Sequence, residues 1–403
     1  MVWVKLKRVL FVIESLGGGG AEGVLANITM HFPSDWQIDI LVNDESLIAY
    51  PYKGNILSLS RPYQKTFISH IFNILKRISY LRKLKKNNGY TACISFLDSA
   101  NISNILSGNK YCKTIVSIRG DIMADISYYR FISRPLAKVL YQYADKVIVV
   151  SKEIEWKLIH FLKMPKKKVI AIKNGYDCEW IAEQMKEMPK QGIKFNAFPD
   201  MNWKVVITVG RLVDVKGQWH LIRAFANVIK AEEQAVLFIV GDGDLKHYLE
   251  AVIKECNLNK RVILIGYSDN PYWYLARADL FVLPSLYEGY PNALAEAVCC
   301  GVPCIAADVH SGPREILAPG LNAVGERVSD ISEEEYGVLV PGCSGRRYTG
   351  NEALEPAEQK MAEAISMLLS DDSKREHYRQ RCFSRSRDLN IKEIIDQWID
   401  AIS

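Results

Sequence analysis

Two glutamates stand eight positions apart in "SLYEGYPNALAEAVCCGVPC", residues 285–304. Glu288 lies in a Gly/Pro-rich turn and Glu296 in a helix-like run closed by Gly301, and neither has a lysine or arginine close by in sequence. The flanking sequence is of buried type, and a partly buried carboxylate needs a hydroxyl or amide to donate to it. The plainer alternatives are a solvated helix face, or an acid in the first turns gaining ~0.3–1 kcal/mol from the helix dipole. Between the two acids, Pro291 suits a first helical position. The N–H groups of Tyr290, Asn292 and Ala293 would then precede the first helical hydrogen bonds, which makes an anion site without any side-chain charge.

Other segments supply cations and close backbone. In "TVGRLVDVKGQWHLIRAF" a strand ends at Gly210, and Arg211 and Lys216 follow before a helix. Two cations at the carboxyl edge of a parallel strand can neutralise a diphosphate; a solvated loop is the other reading. "ESLGGGGAEG" places Gly17, Gly18, Gly19 and Gly20 between a strand and a helix. Glycines there let backbone approach a ligand at a helix N-terminus. With Gly23 and Asp39 they can be fitted to a dinucleotide fingerprint, but a run of four glycines fits many patterns, so ligand loop and flexible turn both stay open. Asp244 in "VGDGDL" reads as a helix N-cap, with an Asp-x-Asp metal pair (Asp242, Asp244) as the alternative. The triplet at 119–121, Arg-Gly-Asp, follows a strand and so faces the same sheet edge; an adhesion role is set aside. The seven histidines show no metal-ligand spacing. No G-x-x-x-x-G-K-[ST] or G-x-S-x-G is present, which argues against P-loop and α/β-hydrolase chemistry.

The elements that must position these residues are near-continuous apolar strands alternating with helices. "RVLFVIES", "QIDILV", "ACISFL", "TIVSIR", "KVIVVS" and "KVIAIKN" form one series. "KVVITVG", "AVLFIVGDG", "RVILIGY", "LFVLPS", "PCIAAD" and "YGVLVP" form a second. Such patterning predicts α/β folding with parallel sheets buried on both faces, and 403 residues exceed one core. Two doubly wound Rossmann-like domains follow, 1–185 and 186–375, facing a central cleft, with C-terminal helices over 376–403 crossing back to the first domain. The interdomain linker falls in residues 178–203. Residues 1–180 hold 26 Lys and Arg against 14 Asp and Glu, and the remaining residues hold 25 against 32. The basic half suggests an anionic partner. Within it, "TFISHIFNILKRISYLRKLKKNNGY" reads either as a membrane-surface helix, with Phe67, Ile71, Phe72, Leu75, Ile78 and Leu81 on an apolar side, or as a buried amphipathic helix with a solvated charged face. The nine cysteines are scattered without a C-x-x-C pair, which fits a reduced cytoplasmic compartment without structural zinc. No apolar run reaches the length of a membrane span, and the N-terminal apolar run reads as a first strand rather than a leader.

Residues 204–341, through "VGRLVDVKGQWHLIRAF", "IVGDGDL", "LIGYSDNPYWYLARADLFVLPSLYEGYPNALAEAVCCGVPCIAAD" and "YGVLVP", resemble the retaining glycosyltransferases of family 4, which have the GT-B fold. "IESLGGGGAE" and "VVSKEIEWKL" with "VIAIKNGYD" extend the likeness to roughly residues 8–385. The resemblance implies transfer of a hexose or N-acetylhexosamine from a nucleoside-diphosphate sugar, UDP foremost, to a saccharide or polyprenyl-diphosphate-linked acceptor in surface glycan synthesis. The nucleotide sugar is a co-substrate, no metal cofactor is required and no nucleic acid is involved. By this likeness Arg211 and Lys216 meet the diphosphate, Glu288 a sugar hydroxyl, Glu296 the ribose hydroxyls, and Gly266 and Tyr267 the base. Gly210, Gly289, Tyr290, Asn292 and Ala293 complete the donor set, while Gly17–Gly20 and Arg119 approach the acceptor or the phosphates. The protein is expected in the cytoplasm, extending to the inner face of an anionic membrane. Two departures stand out. Arg119 occupies a place where many relatives have His, and arginine is no general base. Pro291 replaces a common Gly and removes an N–H. The rivals are a GT-B epimerase or phosphorylase, a non-catalytic sugar-nucleotide-binding protein and, further off, a nicotinamide-dependent oxidoreductase, which would leave Arg211, Lys216 and the two glutamates unexplained.

Overall fold

The computed structural model describes residues 7–60, 67–120, 139–191 and 203–403, without the side chains of 67–71. Asp121 and part of the expected linker lie outside the described residues. The chain forms two compact units, one of residues 1–175 with 391–403 and one of residues 176–390. The breaks fall after Gly175 and Asn390, where the sequence reading put them after 185 and 375. The Cys178–Gln184 and Asp372–Asp388 helices therefore belong to the second unit, and only the Ile391–Ile402 helix returns to the first. That last helix buries Ile391, Ile394, Ile395, Trp398, Ala401 and Ile402. Trp398 stacks on Phe96, with ring centroids 5.8 Å apart.

In the first unit, strands β1 (Lys7–Val12), β2 (Trp36–Val42), β3 (Asn55–Ser58), β4 (Ala92–Phe96), β5 (Lys113–Ile118), β6 (Lys146–Val149) and β7 (Val169–Ala171) make one sheet. Its order is β3-β2-β1-β4-β5-β6-β7, and each neighbouring pair is parallel. The strands β1, β4 and β6 carry fully buried Val, Leu, Ile and Phe, as a sheet covered on both faces requires. The Phe67–Asn87 helix divides its apolar residues: Ile78 and Leu81 are buried, whereas Phe72 and Leu75 are 53% and 58% exposed. Its cations divide too. Arg77 and Lys85 are buried, Arg77 bonded to Asn43 and Ser99 and Lys85 to Asn104, Gly108 and Thr114. Arg82, Lys83 and Lys86 stay outside. The single apolar side expected from sequence is thus two faces.

The second unit repeats the plan. Strands β8 (Lys204–Val209), β9 (Ala235–Val240), β10 (Val262–Gly266), β11 (Leu280–Leu283), β12 (Cys304–Ala307), β13 (Ser332–Glu334) and β14 (Gly337–Val340) lie in the order β10-β9-β8-β11-β12-β14-β13. All neighbours are parallel except β13 with β14. The core joins the Gln218–Ala231 and Pro356–Ser370 helices to the sheet through Trp219, Phe225, Met361, Ile365 and Leu368. In each sheet the connections reverse direction beside the first strand, between β1 and β4 and between β8 and β11. Loops leaving the carboxyl ends of those strands diverge there, and open α/β sheets bind ligands at such points. Among the described residues no helix is long and apolar enough to cross a membrane.

Candidate active site

At the reversal point of the second sheet, β8 and β11 pair through Leu280↔Val206 and Phe281↔Ile207. Their outgoing loops then meet. Leu286 N–H donates to the Val215 carbonyl at 2.9 Å. Gly217 turns with φ +59°, and a Cβ there would sit 2.5 Å from the Pro284 carbonyl, so only glycine allows this approach. The result is an ion pair: Lys216 Nζ donates to Glu288 Oε1 at 2.7 Å, with both side chains largely covered. The sequence offered Glu288 no nearby cation, because its partner lies 72 residues away and only strand adjacency delivers it. Arg211, after β8, is exposed and has no ion pair among the described residues. Gly210 N–H is held by the Val240 carbonyl at 2.9 Å.

The Asn292–Cys299 helix starts immediately beyond Glu288. Pro291 is its N-cap rather than its first helical residue, with φ −74° and ψ 94°. The Pro291 carbonyl accepts from Leu294 and Ala295 at 3.1 and 3.2 Å, so the Asn292 and Ala293 amides precede the helical ladder. Tyr290 is buried at 6% exposure. The Gly289 carbonyl accepts from Ser311 Oγ at 2.6 Å. The Asn292 side chain accepts from Tyr176 Oη at 2.7 Å. Glu296 lies deeper. Part of the residue is still open, yet burial of its carboxyl pushes the pKa up to about 7, and the Tyr272 hydroxyl, donating at 3.3 Å, only partly offsets this. Tyr272 in turn meets Trp180 edge to face at 5.5 Å. At the end of β10, Gly266 has φ +81° and Tyr267 is 58% exposed, a ring open to stacking.

The remaining sequence candidates lie elsewhere. Gly19 caps the Gly20–His31 helix, and none of Gly17, Gly18, Gly19 or Gly20 has a left-handed φ. The Glu22 carboxylate lies over this helix start: a Cβ at Gly19 would meet its Oε2 at 2.2 Å. Arg119, in the first unit, bonds to Ser117 Oγ at 3.3 Å and to Asn174, and lies 5.6 Å above the Phe96 ring. Asp244 is not an N-cap. The Lys246–Glu255 helix is preceded by Leu245 without a side-chain cap, and Asp242 accepts from the Gly243 amide instead. The lone group of three His, Cys and Glu side chains close enough to share a metal among the described residues is His220, Cys343 and Glu355. There His220 Nδ1 already bonds Glu358 at 2.8 Å, and Arg223 shares that carboxylate. Tyr176, Tyr272 and Ser311 were invisible to sequence reasoning. Each acts through a contact with a residue more than 20 positions away, which local spacing does not reveal, although Tyr176 and Tyr272 lie inside stretches that carry the family resemblance.

A family model for glycosyl transferases group 1 matches residues 190–333. An uncharacterised glycosyltransferase of Methanocaldococcus jannaschii is 31% identical over 81% of this chain and 82% of its own. The N-acetylgalactosamine-N,N'-diacetylbacillosaminyl-diphospho-undecaprenol 4-alpha-N-acetylgalactosaminyltransferase of Campylobacter jejuni is 26% identical over 95% of each chain. Anabaena HepE in complex with UDP and glucose superposes with a TM-score of 0.73 at 18% identity, over 98% of this chain and 99% of that one, which speaks for the GT-B fold. With two parallel sheets, reversal-point loops and relatives of this length in agreement, the chain belongs to the GT-B glycosyltransferases, its residues 190–333 matching the group 1 model.

Proposed function

We propose that this enzyme is a retaining transferase of family 4. It would move a hexose or N-acetylhexosamine from a UDP-sugar to a saccharide or polyprenyl-diphosphate-linked saccharide during surface glycan synthesis. The observation that carries the reading is the Lys216–Glu288 pair, 2.7 Å across, set against the start of the Asn292–Cys299 helix. A cation, a carboxylate and helix-start amides in one place suit a sugar joined to a diphosphate: the phosphates take Lys216, Arg211 and the amides, and a sugar hydroxyl donates to Glu288. Glu296 takes the ribose hydroxyls and Tyr267 stacks on the base. The Campylobacter relative's diphospho-undecaprenol-linked acceptor supports a lipid-linked acceptor here. The Glu22 carboxylate over the glycine loop favours acceptor hydroxyls there over a phosphate.

The chemistry follows from charge. As the anomeric C–O bond breaks, negative charge grows on the leaving diphosphate, and Lys216, Arg211 and the helix start stabilise it without a resident metal. The acceptor oxygen bonds to the oxocarbenium-like carbon on the departing face, and its proton passes to a diphosphate oxygen. No protein nucleophile enters, and Arg119 orients acceptor or phosphate rather than serving as a base. The exposed Phe72, Leu75, Arg82, Lys83 and Lys86 fit peripheral contact with an anionic membrane. The test is a thermal-shift panel of nucleotide sugars followed by turnover with a polyprenyl-diphosphate saccharide. A ligand at 100-fold its Kd adds about 2.7 kcal/mol. No stabilisation by any uridine nucleotide would remove UDP from the reading, and donor consumption without acceptor would favour an epimerase or phosphorylase.

A further inference from the structure

We propose that Ser311 is a positioning residue for the donor diphosphate: its hydroxyl fixes the Gly289–Tyr290 peptide so that the Tyr290 N–H faces the phosphates. The inference rests on the reading above, that this helix start holds a diphosphate.

Pro291 has no N–H, so the amide immediately before the helix is that of Tyr290. A trans peptide directs its carbonyl and its N–H to opposite sides. Ser311 Oγ donates to the Gly289 carbonyl at 2.6 Å, which turns that carbonyl toward the 308–314 segment and the Tyr290 N–H away from it. A serine held this way is not an accident of a loose loop. Ser311 is 1% exposed and has φ +67°, a conformation non-glycine residues keep only where surroundings enforce it. The enforcement is visible on both sides. Asp308 and Arg314 form a buried two-bond pair at 2.8 and 2.7 Å that clamps the ends of the segment. Next to Ser311, a Cβ on Gly312 would lie 2.3 Å from Pro291 Cδ, so the segment is pressed against the turn it orients. Tyr290 itself is anchored by its buried ring. Ser311 thus compensates for the missing Pro291 amide by fixing the direction of the one before it.

The experiment is calorimetric titration of the full chain with UDP and with UMP, for wild type, S311G and S311N. S311G removes the hydroxyl while relaxing the positive φ, so loss of folding does not confound it. Asn tolerates this φ and retains a donor. S311G should lose roughly tenfold in UDP affinity, the scale of a hydrogen bond to a charged group, with UMP affinity unchanged; S311N should recover part of the loss. A UDP-to-UMP ratio in S311G equal to wild type overturns the inference while leaving the donor reading intact, whatever happens to thermal stability. S311N binding UDP more weakly than S311G also overturns it. A wild type that does not prefer UDP to UMP overturns the diphosphate reading and this inference together.

Discussion

Replacing Glu296 by Gln separates a ligand-binding acid from a structural one, because the two roles predict opposite signs. Burial raises the Glu296 carboxyl from an ordinary 4.5 to about 7, a displacement equivalent to about 3 kcal/mol. Between those pH values the folded protein holds a proton that the unfolded chain has shed. Stability therefore falls as pH rises across this window and levels off above it. Gln carries no charge and can still accept from Tyr272. The variant's advantage in unfolding free energy should grow from under about 1 kcal/mol at pH 5 to about 3 kcal/mol at pH 8. Donor binding should move the other way. A carboxylate accepting ribose hydroxyls loses about 1–3 kcal/mol when replaced, roughly tenfold or more in UDP affinity at pH 8. Denaturant melts at both pH values, with titration of UDP into each protein, read both effects. A variant less stable than wild type at pH 8, or one binding UDP equally well, would refute the reasoning.

Other expectations follow from the same geometry. Tyr272→Phe removes the hydroxyl that lowers the Glu296 pKa, so the acidic limb of UDP binding should shift to higher pH in titrations across pH 5 to 8, and an unchanged profile would count against the contact. Lys216→Met leaves Glu288 covered and unpaired. It should lower both stability and turnover, turnover by on the order of 100-fold or more, and a double-mutant cycle with Glu288→Gln should show strong coupling; additive losses would mean the pair does not act as a unit. Glu288→Ala should reduce kcat more than UDP affinity, read by initial rates beside calorimetry. Sedimentation with anionic vesicles should be salt-sensitive and should weaken when Arg82, Lys83 and Lys86 become Glu; salt-independent or absent binding would dismiss the membrane surface.

Much of the fold was legible because strands buried on both faces are written as unbroken apolar runs. β1, β4, β8, β9 and β11 were all read this way. β3 and β13 were missed. Each is a short edge strand, "NILS" and "SEE", whose pairing depends on a neighbour rather than on its own pattern. The "KLKKN" end of the Phe67–Asn87 helix misled for a related reason: charge in sequence suggests solvent, yet Lys85 is buried on three oxygen acceptors supplied by other segments.

By itself the sequence determined the alternation that makes two parallel sheets, the helix start after Glu288, and the residue types suited to a sugar diphosphate. Local spacing and the apolar period encode those things, and they require no partner across the chain. Only the tertiary structure decided which groups meet. The adjacency of β8 and β11 gave Glu288 its lysine. Burial of its carboxyl raised the pKa of Glu296. A serine held at positive φ between a buried Asp308–Arg314 pair and Pro291 took hold of the peptide just before the helix. Such contacts join segments from about 20 to more than 100 residues apart, set by sheet order and close packing rather than by any local pattern.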